Sequence, residues 1–211
     1  MQHSISVLWE SRDTKKWRDA LASYWENPSV RNNLKVEKFM DKLDPEIIRK
    51  SNSEGWHGFL RVYFNWKFKG TYLGKRLADL QKNRPEQLCT VKGLLLARDP
   101  QNLRRALERA QYIKGLGAAG GSGLLAVLFP KWFGTVDRFV VEALPEVPSL
   151  PERQKLLRMK PKSLTHDDAV VLIDILRKKA AQLNELFHTD EWTPRKIDMI
   201  LRNQRDGQRC W

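Results

Sequence analysis

Ile113-Lys114-Gly115-Leu116-Gly117-Ala118-Ala119-Gly120-Gly121-Ser122-Gly123, running on to Phe129-Pro130 and then to Gly134-Thr135-Val136-Asp137-Arg138-Phe139-Val140, is the stretch that decides the fold. It reads as helix, tight glycine turn, helix. Such a turn calls for positive φ at Gly115 and Gly117, and a missing Cβ lets another backbone come close. Leu116 is expected to tuck inward and fix the turn. The second helix should run to Phe129, where Pro130 closes it. Glycines in a helix start are unfavourable, so this helix is expected either to begin late or to offer its small face to something bulky. Thr135-Val136-Asp137 then caps a further helix ending near Leu144.

Working outward, helical spacing dominates. Trp17, Leu21 and Trp25 mark a helix over 13–26 that Asn27-Pro28-Ser29 stops. Asp44-Pro45 reads as N-cap and first helical residue. Ser53-Glu54 opens a long aromatic helix that Gly70 breaks. Helices over about 86–97 and 101–112 flank Asp99-Pro100. Thr165 and Asp168 form a capping box for a helix to Phe187, and Thr193-Pro194 opens the last one. No segment alternates with a strand period, so the chain is expected to be all-α. The loop with Pro145, Pro148 and Pro151 is the best place for a crossing between lobes. Cys89 and Cys210 are the two cysteines, which leaves no disulfide framework and no four-cysteine metal or iron–sulfur site. The longest apolar run, Leu124 to Phe129, is too short to span a bilayer. No leader pattern opens the chain, so a reducing, cytoplasmic setting is expected.

Lys and Arg number 38 against 25 Asp and Glu, a net charge of +13. A globular chain this basic usually meets a polyanion, nucleic acid most often; an anionic lipid surface or a ribonucleoprotein are the competing partners. A glycine turn opening a helix presents unpaired N–H groups and a positive dipole end. Such a turn can bind a DNA phosphate without reading sequence, with Lys114 adding a charge beside it. It can equally be a plain interhelical turn.

The segment 113–144 resembles the helix-hairpin-helix DNA glycosylases, in which a Leu-Pro-Gly-Val-Gly turn precedes a small-residue helix and a Val-Asp pair follows at the start of another. Gly117 and Asp137 stand twenty positions apart, the family spacing. Thr135-Val136-Asp137-Arg138-Phe139-Val140 occupies the place of the family's Val-Asp-x-x-Val. The pattern covers about residues 103–144; the remainder is similar only in helical content and charge. The resemblance implies two helical lobes with a cleft between them. It implies that Lys114, Gly115, Leu116, Gly117, Ala119, Lys131 and Arg138 hold double-stranded DNA, and that Asp137 is the catalytic carboxylate. It implies a monomer with no cofactor beyond, at most, a monovalent cation at the hairpin, and no metal or iron–sulfur cluster. The strand-cleaving members carry a lysine where this chain has Ala119, so base release without lyase activity is expected.

The chemistry needs little more. Cleaving a base from its sugar passes through an oxocarbenium-like transition state, which an ionised carboxylate stabilises while it orients water. A helix N-terminus favours that ionised form, although the same aspartate can simply cap the helix. The base must also leave the stack, which needs flat walls and a wedge. Trp56, Phe59, Tyr63 and Trp66 share a helix face that can be core or stacking platform. Trp56, Tyr63, Trp66, Lys67 and Trp132 are the candidates for pocket or wedge. Basic runs at 61–84, 153–162 and Arg195, Lys196, Arg202, Arg205 and Arg209 offer a phosphate track, or only a solvated face. The alternatives are a non-catalytic hairpin clamp on DNA and a basic scaffold for RNA.

Overall fold

A computed structural model describes residues 4–97 and 102–206; Asp99, Pro100, Arg209 and Cys210 lie outside the described residues. Those residues are helical and contain no strand. The order is α1 (Ile5–Trp9), α2 (Thr14–Glu26), α3 (Pro28–Arg31), α4 (Leu34–Asp41), α5 (Pro45–Lys50), α6 (Ser53–Lys67) and α7 (Thr71–Gln81). There follow α8 (Pro85–Leu96), α9 (Leu103–Gln111), α10 (Ala118–Leu128), α11 (Arg138–Ala143), α12 (Arg153–Leu156), α13 (His166–Phe187) and α14 (Pro194–Asp206). A single 3₁₀ turn, Leu144–Glu146, lies in the proline loop.

Local signals place the boundaries. Asp13 accepts from Lys15 N–H, Asp44 from Glu46 N–H with Pro45 at the first helical position, and Asn52 from Gly55 N–H. Each side chain satisfies a donor that the first turn leaves open. Thr165 and Asp168 close a reciprocal capping box on α13, and His188 ends that helix in the left-handed conformation at φ 49°.

Tertiary packing joins α9 to α10 across the glycine turn, α11 and α13 to α14, and the N-terminal α2 to α14. Most buried apolar residues form one continuous core from Ile5 to Leu201. Trp17, Trp56, Tyr63, Phe64 and Phe133 are fully buried within it. A smaller cluster of Tyr24, Val30 and Met199 pins α2 and α3 against α14.

The glycine turn differs from expectation at one of its two glycines. Gly115 has the positive φ, +97°, and a Cβ there would lie 2.9 Å from Phe64 Cε1 and 3.0 Å from the Arg76 carbonyl oxygen. Gly117 instead has φ −94° in an extended conformation and serves as N-cap of α10; it faces open space. The turn needs only one left-handed residue because Leu116 N–H already closes it onto Ile113 O at 3.1 Å. Leu116 does point inward, 6% exposed.

α10 also does not begin late. It starts at Ala118, and neighbours press on its glycines: Leu116 and Phe68 on Gly120, α9 on Gly121 and α6 on Gly123. A Cβ on Gly120 would meet Phe68, and one on Gly123 would sit 2.6 Å from the Tyr63 hydroxyl. The small face therefore receives the aromatic side chains of this chain rather than standing open for a bulky base.

Candidate active site

Asp137 is placed by a backbone segment anchored on both sides. Val136 N–H donates to Ser122 Oγ of α10 at 3.0 Å. Thr135 N–H donates to Asp198 Oδ2 of α14 at 2.5 Å. The first contact ties the residue next to Asp137 directly to the helix that the glycine turn opens, so turn and carboxylate belong to one packed unit.

The Asp137 carboxylate uses its two oxygens differently. Oδ1 caps α11 by accepting from Phe139 N–H at 3.0 Å. Oδ2 accepts from Lys67 Nζ at 3.1 Å. Asp137 is thus a helix cap and a cavity-lining carboxylate at once. Burial pushes the acid upward, but the Lys67 and Arg202 charges, the Lys67 hydrogen bond and the Phe139 N–H outweigh it. The carboxyl is held below its ordinary 3.8 and is ionised at neutral pH.

A cavity of about 460 Å³ opens on this pair. Trp66, Lys67, Lys69, Tyr72, Arg138 and Arg195 contribute to its wall, as do Thr135, Asp137 and Asp198. Tyr72, 71% exposed, stands at the start of α7. The Trp66 indole is buried, its ring centre lies 5.5 Å from the Arg195 guanidinium carbon, and its Nε1 has no hydrogen-bond acceptor among the described residues. Arg138 is exposed, with its guanidinium over the Phe139 ring at 4.8 Å.

Behind the cavity lies a buried charged network that sequence reasoning assigned to a phosphate track. Arg195 is 5% exposed and Asp198 2%. Arg195 Nη1 donates to Asp198 Oδ1 at 2.8 Å and to Thr135 Oγ1 at 3.3 Å. Burial works against the Arg195 cation, but Asp198, with Tyr24, Glu37 and Asp41, outweighs it and holds the guanidinium above its ordinary value. Burial raises the Asp198 acid, opposed by Arg195 and the Thr135 N–H. Arg202 reaches Glu37 at 3.8 Å, and Glu37 accepts from the buried Tyr24 hydroxyl at 2.9 Å. The first turn of α14 is therefore structural support for the Thr135–Asp137 segment, not a solvated basic face. The signal was present in the i, i+3 spacing of Arg195 and Asp198 among the apolar residues Ile197, Met199 and Ile200.

The pocket candidates separate accordingly. Trp66 and Lys67 line the cavity. Trp56 and Tyr63 do not, because both are 0% exposed. Trp56 Nε1 donates to Leu88 O at 3.0 Å and the Tyr63 hydroxyl to Gly120 O at 2.6 Å. Their face of α6 packs into α8 and α10, which corrects the stacking expectation for these two rings. Trp132 is half-exposed but outside the cavity wall; Arg177 covers its ring at 5.4 Å and donates to its carbonyl. Lys114, Gly117 and Lys131 are exposed, and Gly115 and Ala119 are half-buried. Lys114 Nζ donates to Lys82 O, and its backbone N–H donates to the Asn83 side chain at 2.8 Å. No side chain caps α10 at Gly117. Tyr72 and Asp198 were missed as site residues.

Among the described residues no group of three His, Cys, Asp or Glu side chains converges to hold a metal, and no helix is long and apolar enough to cross a membrane. No protein-family model, curated protein or solved structure matches the chain.

Proposed function

We propose that the protein is a DNA N-glycosylase, a helix-hairpin-helix enzyme that extrudes a modified base into the Asp137 cavity and breaks its glycosidic bond to leave an abasic site. The observation that carries this reading is the ionised Asp137 carboxylate on the wall of a cavity large enough for a small ligand, since such sites run to about 300–1,000 Å³. A fixed negative charge there stabilises positive charge developing on the sugar. The turn at Gly115–Gly117 and the uncapped start of α10 would grip the strand, because Val136 and Ser122 couple that helix to the carboxylate. Lys69, Arg138 and Tyr72 rim the cavity as phosphate and stacking contacts. A cleft between two lobes belongs to this reading as the path for the duplex.

The runner-up, a non-catalytic DNA clamp, is favoured by one observation. Both Asp137 oxygens already have partners, as a purely structural cap would. A panel of duplexes, each with one modified base, separates the two. Incubation followed by hot alkali should break at least one duplex at the modified position. Binding to all of them with no alkali-labile site in any leaves the clamp.

A further inference from the structure

The residue that the family resemblance makes a nucleophile is Ala119, which has no amine. An amine nevertheless reaches the carboxylate from a different helix. Lys67 ends α6, and its Nζ lies 3.1 Å from Asp137 Oδ2. The side chain is 11% exposed and lines the same cavity. It gets there by crossing α10 at Gly123. A Cβ at that position would stand 3.4 Å from Lys67 Cε and 3.5 Å from Cδ, besides striking the Tyr63 hydroxyl. The other amines are placed differently. Lys69 shares the cavity wall but is exposed and donates to Asn65 O, not to Asp137; Lys114 is exposed and donates to Lys82 O, and Lys131 is exposed away from the cavity wall.

We propose that Lys67 is a nucleophile toward the abasic sugar, so that the protein cleaves the strand as an abasic-site lyase; this rests on the glycosylase reading of the Asp137 cavity. The Lys67 ammonium loses a proton to solvent water, which frees the nitrogen lone pair. The amine adds to the C1′ carbonyl of the ring-opened sugar, forming an N–C bond as the C=O π bond opens, and a proton on nitrogen moves to that oxygen. A solvent proton turns the hydroxyl into a leaving water, which departs as the protonated imine forms beside the ionised Asp137. The Asp137 carboxylate removes a proton from C2′ and passes it to solvent. The C3′–O bond breaks and the phosphate departs. Water then hydrolyses the imine, restoring the amine and releasing an unsaturated aldehyde on the nicked strand. The amine and the carboxylate that takes the C2′ proton both line the cavity, and no oxidant or metal enters the balance.

Lys67 also has a simpler role, as a countercharge for Asp137. Lys67→Arg separates the two, because a guanidinium keeps the charge and cannot form the imine. The probe is a duplex carrying one preformed abasic site, so no knowledge of the excised base is needed. The full-length protein with borohydride should give a covalent adduct, and peptide mapping should place it on Lys67. Without borohydride the strand should break with no alkali. Lys67→Arg should lose adduct and nick by roughly a thousandfold or more, while Lys15→Ala, at an exposed lysine of α2 outside the cavity wall, keeps both. An adduct mapped to another amine in the unmodified protein, an adduct that survives Lys67→Arg, or no adduct at all overturns the proposal. Base release from the modified-base panel without trapping refutes the lyase and leaves the glycosylase. Trapping at Lys67 with no base released from any duplex refutes the glycosylase and leaves the lyase.

Discussion

Lys67 and Asp137, seventy positions apart in sequence, meet at 3.1 Å on the wall of one cavity. Three helices meet to make that contact. α6 delivers the lysine, Gly123 of α10 yields the space, and the N-cap of α11 presents the acid. The acid is in turn steadied from α14 through Asp198 and Thr135. Either member alone would be a largely buried charge without its partner; together, beside a buried indole, they form an ion pair 11% and 22% exposed.

Asp137→Asn tests the acid alone. Asparagine keeps an oxygen to cap α11 and loses the charge. On a duplex that the unmodified protein processes, base release should fall about 100- to 1,000-fold. On the proposed reading DNA affinity should hold or rise, since one negative charge leaves the surface that would meet phosphates. Single-turnover release and a binding titration read the two effects separately, and an unchanged release rate removes Asp137 from catalysis.

The two glycines of the turn should respond in opposite ways. Gly115→Ala places a Cβ at φ +97° against Phe64 and the Arg76 carbonyl, and should destabilise the fold by roughly 1–3 kcal/mol. Gly117→Ala meets nothing within 4 Å, so its stability change should stay within about 0.5 kcal/mol. If Gly117 lies on a DNA phosphate, its methyl group weakens binding while the melting temperature holds. Loss of stability at Gly117, or none at Gly115, contradicts the turn geometry.

This division shows what was legible beforehand. Caps and breakers act over three or four residues, so Pro45 and the Thr165–Asp168 box announced their helices in sequence. The four- and five-residue helices α1, α3 and α12 carried no period to find. Asp137 stood out through its spacing from Gly117. Lys67 stood out only as a pocket candidate and Ser122 and Asp198 not at all, because the contacts of all three with the segment around Asp137 are made by tertiary packing alone. Arg195 misled for a related reason. A charge run implies a wet face only when nothing opposite it is buried, and Asp198 sits on the same helix side, 2% exposed.

Asp198 should therefore matter to folding before it matters to chemistry. Asp198→Ala strands the buried Arg195 guanidinium and the Thr135 N–H, and should cost about 3–5 kcal/mol. Asp198→Asn retains an acceptor and should cost less. Denaturant unfolding measures both. Equal stability of the alanine variant and the unmodified protein would show that the Arg195 pair is not buried as described.

The last test lies on the far side of α13. Lys179 is 5% exposed, donates to Trp9 O and to Gln182 Oε1 at 2.9 Å, and lies 5.0 and 5.2 Å from the Trp9 and Trp17 ring centres. Burial lowers it from 10.5 to about 8, with Glu10 opposing. Between those values the unfolded chain holds the proton more often than the folded one. The Lys179 contribution to stability must then rise as pH climbs from about 8 to 10.5, by on the order of 3 kcal/mol at most. Lys179→Met keeps the stem and removes the titration. Unfolding free energies measured for both proteins across that window should diverge in favour of lysine as pH increases, whatever the other lysines and tyrosines contribute in common. Parallel curves would mean that the Lys179 amine stays as hydrated in the folded state as in the unfolded one, and that its seat between the tryptophans and the α1 carbonyl is wrongly drawn.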